Sequence, residues 1–167
     1  GYDAVDVEAA TRHGIPVANT PGTNSGSVAE HALALMLALL KRLTRYDRDL
    51  HDGVWVESVG YDLTAKTVGL IGFGSVAQHL ARLLAGFSCR ILAYDPFFNE
   101  QAAGVLGVER SSIDTIVAES DIVSLHLPLN AETHHLIDAD FLSRLRPHAV
   151  IINTSRGAIV DQAALVA

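Results

Sequence analysis

Scarcity narrows this sequence first. It holds one cysteine, Cys89, so no internal disulfide can form, and the chain suits a reducing compartment. The expected setting for Cys89 is that of a small buried residue beside a strand. No run of lysines or arginines occurs and the net charge is −7, which argues against nucleic acid as a main partner. The longest apolar run is the nine residues Ala32–Leu40, far below the ~20 of a membrane span. No signal peptide opens the chain, and no repeat or low-complexity segment interrupts it. These absences predict a soluble, cytoplasmic protein without nucleic-acid or membrane partners. The chain starts at Gly1 rather than Met and stops at Ala167 within a helical pattern, as expected of a piece of a longer protein.

What is present is a two-part pattern. About half the residues are apolar, enough for a substantial core. The stretch "VDVEAATRHG" reads as a short helix with Asp6 as N-cap and Gly14 as its stop, and "IPVAN" as a short strand. A turn-rich loop, "TPGTNSGS", leads into a helix expected over 27–45. Ser27 and Glu30 have capping-box spacing, and Lys41 and Arg42 fall in its last turns. That helix is apolar around most of its circumference, so it must be covered on several sides, by another domain or a second subunit. From Lys66 onward, strands alternate with helices. "KTVGLIGFG", "RILAYD", "DIVSLHLPL" and "HAVIINTSRG" read as strands. "SVAQHLARLLAGF", "NEQAAGVLG", "SSIDTIVAES", "DADFLSRLR" (capped by Asp138) and "DQAALVA" read as helices. Nearly continuous apolar strands joined by helices imply a parallel sheet covered on both faces, an α/β doubly wound fold.

Chemistry concentrates where strands end. In "GLIGFGSVAQHLA", Gly72 permits a tight turn, Gly74 lets the backbone approach a pyrophosphate, and the small Ala77 lets helix and strand pack closely. The following helix N-terminus offers free N–H groups to phosphates. Asp95, at the end of the next strand, stands where a carboxylate accepts adenosine ribose hydroxyls. It is followed by Pro96 and Phe97 rather than by an arginine that would neutralise a 2′-phosphate, so the cofactor expected is NAD. The bland alternative for Asp95 is a turn residue before proline. His126, Leu127 and Pro128 fall at another strand end, and a half-buried, hydrogen-bonded histidine is an equal reading of His126. His134 and His135 are adjacent, are expected to point different ways, and make a poor metal pair. None of the eight histidines shows ligand spacing with a second donor, so no metal is expected. Finally, "NTSRG" puts Arg156 just past a strand end. A forked, permanent cation suits a carboxylate and its neighbouring carbonyl, although a surface salt bridge would use the same residue.

Four such matches in one order resemble the D-isomer-specific 2-hydroxyacid dehydrogenase family, which includes D-3-phosphoglycerate dehydrogenase-like enzymes. The stretches "GYDAVDVEAATRHGIPVANTPGTNSGSVAEHALALMLALLKR", "VGLIGFGSVA", "YDP", "SLHLPLNAETHHLI" and "IINTSRGAIVD" carry the likeness. It implies a Rossmann-type NAD-binding domain over 46–167, incomplete at its end, an interdomain helix at 27–45, and the tail of a substrate domain at 1–26. It further implies that Ser75 and Val76 contact the pyrophosphate alongside Gly72 and Gly74, and that Asp95 holds the ribose. Leu127, Pro128, Thr154 and Arg156 would line the nicotinamide half. Arg156 would be the catalytic, substrate-binding arginine, and Gly1 would border the loop that holds the substrate carboxylate. The implied activity is NAD-dependent hydride transfer to or from a small D-2-hydroxy acid of the phosphoglycerate, lactate or glyoxylate/hydroxypyruvate class, in a homodimer. The family's catalytic histidine and glutamate would lie beyond Ala167. A non-enzymatic relative, resembling the C-terminal binding protein corepressors, would keep the same residues. Ala4, Ala77 and Asn130 depart from residues common in the family.

Overall fold

The computed structural model describes residues 4–57 and 59–167, so Gly1 lies outside the described residues. The order of elements is α1 (Val7–Arg12), α2 (Ser25–Leu40), α3 (Leu43–His51), β1 (Thr67–Ile71), α4 (Ser75–Leu84), β2 (Arg90–Tyr94), α5 (Glu100–Leu106), β3 (Val108–Arg110), α6 (Ile113–Glu119), β4 (Ile122–Leu125), α7 (Ala139–Ser143), β5 (Val150–Asn153) and α8 (Gln162–Val166). The strands form one parallel sheet in the order β3-β2-β1-β4-β5. This is the doubly wound arrangement expected from the alternation.

Each face of the sheet has its own core. On one, Val68, Leu70, Ile91, Ala93, Ile122 and Ile152 meet helices α2, α4 and α5. On the other, Ile71, Leu92, Val123 and Leu125 meet Ile116 and Val117 of α6 and Phe141 of α7. Burial on both faces explains why the strands read as apolar runs rather than as alternating patterns. The two layers sit close. A Cβ on Gly69 of β1 would lie 2.4 Å from Ser120 Oγ and 2.5 Å from Ile116 Cγ2, so glycine there sets the approach of α6. Helix α2 buries Ala29, Ala32, Met36 and Leu40 and packs on α4, whose inner face is Ala77, Leu80, Ala81 and Leu84. Small residues on both sides permit that contact. Emptying it by Met36→Ala or Leu84→Ala would cost roughly 2–5 kcal/mol each.

The N-terminal third departs most from expectation. Asp6 does cap α1, its Oδ1 accepting the Ala9 N–H at 2.8 Å, and Gly14 follows the helix end. Residues 15–19 form no strand, because nothing in the described chain pairs with them, and all are exposed. Helix α2 begins at Ser25 after Asn24, without a side-chain cap, so Ser27 lies inside it and forms no capping box. It ends at Leu40. Arg42 adopts a left-handed backbone (φ 54°), and α3 starts directly after it. The expected single helix is therefore two. The half of α2 away from α4 is only partly covered, with Leu39 51% exposed. The short strand β3 was not expected. Its register with β2 is held by backbone bonds that leave Glu109 and Arg110 exposed, so it lacks an apolar run.

The amino edge of the sheet is fastened by one carboxylate. Asp121 Oδ2 accepts the Thr67 N–H at 2.9 Å, and Oδ1 accepts from Arg146 at 3.2 Å and meets His148 Nε2 at 3.1 Å. Burial pushes its pKa up, but the Thr67 amide, His148, Lys66 and Arg146 together outweigh that and hold it below the usual carboxylate value. Asp121→Ala should cost about 3 kcal/mol by leaving the amide and the cations without their shared acceptor. That is a fall in Tm of roughly 6–12 °C by calorimetry. Because the pKa is depressed, the carboxylate's stabilisation is present above the unfolded pKa and is lost as pH falls through the folded one.

Candidate functional site

Strand β1 has β2 on one side and β4 on the other, and the chain order reverses there. In doubly wound sheets ligands bind at the carboxyl ends of the strands beside such a switch. The turn that leaves β1 is specified closely. Gly72 has φ +93°, its N–H donates to Tyr94 O at 2.8 Å, and a Cβ there would lie 2.6 Å from the carbonyl oxygen of His126. Only glycine fits. Gly74 then occupies the N-cap of α4 with no side-chain cap, Ser75 is exposed and Val76 half-buried, and the first turn carries no acidic residue. Those unpaired N–H groups and the positive helix end face outward, as a pyrophosphate requires. Ala77 is fully buried, as close helix–strand packing demands.

Asp95 does more than end β2. Its Oδ2 accepts the Phe73 N–H at 2.7 Å and its Oδ1 the Phe97 N–H at 2.8 Å. One carboxylate therefore holds the glycine turn against the loop after β2, and each oxygen keeps a lone pair for a further hydroxyl donor. Phe73 stacks on Phe98 at 5.1 Å and stiffens the same junction. These residues fit the adenosine and phosphate half of a dinucleotide.

At the end of β4, the His126 N–H donates to Ile71 O at 2.8 Å. Leu127 is half-buried and Pro128 exposed. Asn130 accepts the N–H groups of Glu132 and Thr133 at 2.9 Å each, so this departure from the family pattern builds a local turn. At the end of β5, Asn153 Oδ1 accepts the Ser155 N–H and its Nδ2 donates to Arg156 O, both at 2.9 Å, while Ser155 Oγ donates to Leu125 O at 2.8 Å. Arg156 is half-buried and donates to Ser155 O at 3.1 Å. Asn153 and Ser155 therefore shape the loop that presents Arg156. Sequence reading passed over both, although Asn two residues before Ser is an Asx-turn signal. Gly157 opens a short 3₁₀ turn, Gly157–Ile159, without a left-handed φ. Gly72, Gly74, Ser75, Val76, Asp95, Leu127, Pro128, Thr154 and Arg156 all lie along the carboxyl edge, as expected. A cleft between the start of α2 and the β5 loop, lined by Asn24, Ser27, Val28, His31, Thr154 and Ser155, was not foreseen.

The histidines differ from expectation. His134 and His135 do not point apart. Their rings stack with centroids 3.9 Å apart, because His135 takes a left-handed backbone (φ 53°) that swings its side chain back. His126 is half-buried, as one reading of the sequence had it, but both its ring nitrogens are buried and have no hydrogen-bond partner among the described residues. Burial pushes its pKa down to about 4.

A family model described as the NAD binding domain of D-isomer specific 2-hydroxyacid dehydrogenases matches residues 33–167. The chain is 41% identical to a glyoxylate reductase of Thermococcus litoralis, over 99% of this chain and 53% of that protein. It is 42% identical to a D-3-phosphoglycerate dehydrogenase of Mycobacterium bovis, over 99% of this chain and 32% of that protein. It superimposes with a TM-score of 0.90 and 33% identity on the D-lactate dehydrogenase of Aquifex aeolicus in complex with NAD and lactic acid, covering 99% of this chain and 50% of that one. The chain thus spans between a third and about half of the length of these relatives.

Two outcomes are expected. Asp95→Ala should free two amides at about 1 kcal/mol each, lower Tm, and weaken NAD binding about ten-fold or more, read by fluorescence titration. For His126, the unfolded ring protonates near 6.5 and the folded ring only near 4. Stability should therefore fall as pH drops from about 6.5 to about 4, by about 3 kcal/mol, and level off below. Urea titrations across that range, with His126→Phe as the flat control, measure it.

Proposed function

This chain belongs to the D-isomer specific 2-hydroxyacid dehydrogenase family, in which it supplies the NAD-binding domain, and from that premise we propose that the whole protein interconverts a small D-2-hydroxy acid and its 2-oxo acid. Phosphoglycerate, lactate and glyoxylate or hydroxypyruvate define the substrate class. The observation that carries the proposal is the carboxyl edge itself: a glycine-only turn, a carboxylate gripping it, and a half-buried arginine presented by the pinned β5 loop.

In this reading, the amides at the start of α4 and the side-chain-free turn at Gly72 and Gly74 hold the diphosphate. Asp95 accepts ribose hydroxyls and repels a 2′-phosphate, so NAD is preferred to NADP. Leu127, Pro128 and Thr154 border the nicotinamide half and exclude water from it. The bound cofactor supplies or accepts the hydride. Arg156 binds the substrate carboxylate and stabilises charge on the reacting oxygen, where a preorganised cation acts most strongly. Proton transfer at that oxygen needs an acid–base residue, which we assign to the remainder of the protein, beyond Ala167. Gly1 is assigned to the edge of the carboxylate-binding loop. Residues 1–26 are the tail of the substrate domain, 27–45 the interdomain segment and 46–167 the nucleotide domain. That α1 buries none of its residues and that residues 15–24 are exposed support the first boundary.

We assign the whole protein to the cytoplasm. Among the described residues, no helix is long and apolar enough to cross a membrane. A homodimer is part of the proposal. Leu39, Leu43, Leu50, Val54, Trp55 and Val59 are each about half exposed or more, from 49% for Val54 to 86% for Val59, along α2, α3 and the segment after them. A second copy covering that surface would remove it from water.

The full-length protein should oxidise NADH with glyoxylate, pyruvate or hydroxypyruvate. Arg156→Ala should lower kcat/KM about a hundred-fold or more, and residues 1–167 alone should show no turnover. Binding of NADH without turnover of any 2-oxo acid by the full-length protein would favour the corepressor-like alternative. Light scattering should give a dimer, and Trp55→Asp combined with Leu43→Asp should give a monomer. A monomeric wild type refutes the dimer.

A further inference from the structure

The amino edge of the sheet carries a cavity that the cofactor reading does not use. Its volume is about 480 Å³, within the range of small-molecule sites. It lies at the amino ends of three neighbouring strands: Lys66 precedes β1, Asp121 precedes β4 and Val150 opens β5. Leu39 and Leu40, at the end of α2, add to Val150 an apolar lining. Tyr61 forms a further wall, and its position is fixed. Its N–H donates to Leu40 O at 2.9 Å, and the next residue, Asp62, is ion-paired with Lys41. A Cβ on Gly60 would lie 3.1 Å from the same Leu40 O, so this segment is pressed against the end of α2.

Positive charge gathers in this cavity. Arg42 Cζ stands 5.6 Å and Lys66 Nζ 5.7 Å from the centre of the Tyr61 ring, and both side chains line the cavity. The chain has 19 acidic residues against 12 basic ones, and Lys41, Arg90, Arg110, Arg144 and Arg146 each take a carboxylate partner. Among the described residues, the Lys66 ammonium takes none. It acts on Asp121 by charge, without contact, while the Asp121 oxygens are engaged by the Thr67 amide, Arg146 and His148. Lys66 is half-buried rather than freely solvated. An ammonium held between an aromatic ring and an apolar lining suits an anion that is itself partly apolar. The Asp121 carboxylate in the same cavity disfavours a second negative charge on that anion.

We infer that the amino-edge cavity binds a small monocarboxylate with an apolar body, its carboxylate on Lys66 and Arg42 and its body against Tyr61, Leu39, Leu40 and Val150. An aromatic or branched acid satisfies both halves of the site. A phosphate ester, as a dianion, meets Asp121 and binds less well. The inference does not rest on the NAD reading, because the cavity shares no residue with the carboxyl edge. Leu39 belongs also to the surface assigned above to the dimer, so a second copy is the competing occupant.

Benzoate is the probe. Its binding is measured by calorimetry on the full-length protein and on the Lys66→Gln, Lys66→Arg, Arg42→Gln and Arg156→Ala variants, with Tm for each. Wild type should bind benzoate with a Kd of about 1 mM or tighter. Lys66→Gln and Arg42→Gln should each weaken it about ten-fold, and Lys66→Gln should move Tm by less than about 2 °C. Lys66→Arg should stay within about three-fold of wild type, and Arg156→Ala should leave benzoate binding unchanged. Benzyl alcohol, inorganic phosphate and phenyl phosphate should each bind about ten-fold more weakly than benzoate or worse. In methyl NMR spectra, benzoate should shift Leu39, Leu40 and Val150. No binding at about 20 mM benzoate overturns the inference. So does binding that Arg156→Ala abolishes and Lys66→Gln does not, or a titration that leaves those methyl groups unmoved. Benzyl alcohol or phenyl phosphate binding as tightly as benzoate refutes the assigned ligand class. If only the Trp55→Asp, Leu43→Asp monomer binds benzoate, a second copy fills the cavity and the inference is wrong. Should Lys66→Gln fail to fold, Arg42→Gln and the methyl shifts decide the matter.

Discussion

The contact between Gly72 and the carbonyl of His126 is the constraint on which the ligand edge depends. It lets the chain leaving β1 pass against the end of β4 with no side chain between them. The first turn of α4 is thereby aimed along the carboxyl edge with its amides unpaired. Any side chain at 72 would push the turn away from β4 and tilt α4, and α4 is also the surface on which α2 rests. One close approach thus sets the phosphate site, the helix behind it and the helix behind that.

Two aspartates hold the sheet at its opposite edges by similar means. Asp95 takes backbone amides from the β1 turn and the β2 loop, and Asp121 takes the first amide of β1 together with Arg146 and His148. Each joins β1 to a neighbouring strand of the sheet, β2 for Asp95 and β4 for Asp121. At the carboxyl edge the same grip leaves oxygen lone pairs facing the ligand side, so rigidity and recognition share one group. At the amino edge the charge is spent on cations. At the ligand edge, the first turn of α4 has no side-chain cap.

Similarity extends over nearly the whole chain but over only part of each relative. That matches a unit whose nucleotide edge is formed from local strand ends, while its apolar surface on α2 and α3 and residues 4–24, none of them buried, need something else to cover them. Within the unit, the cofactor side is largely self-contained, because the turn, its aspartate and its helix are consecutive. The substrate side is not, because Arg156 is presented by a loop whose opposite wall begins at α2.

The sequence by itself determined the parallel sheet, the glycine turn with its aspartate, and the position of Arg156. Each is written in local terms: apolar runs of strand length, glycines at fixed spacing, and a residue one or two places past a strand end. Tertiary structure decided the rest. The break at Arg42 follows Leu40, the last buried residue of α2, whose carbonyl accepts the Tyr61 N–H at 2.9 Å. β3 exists only because β2 offers an edge to a segment with no apolar run of its own. His126 reads as an ordinary histidine in the sequence; that both its ring nitrogens are buried, with no partner among the described residues, depends on which strands flank it, and no spacing within "SLHLPL" records that.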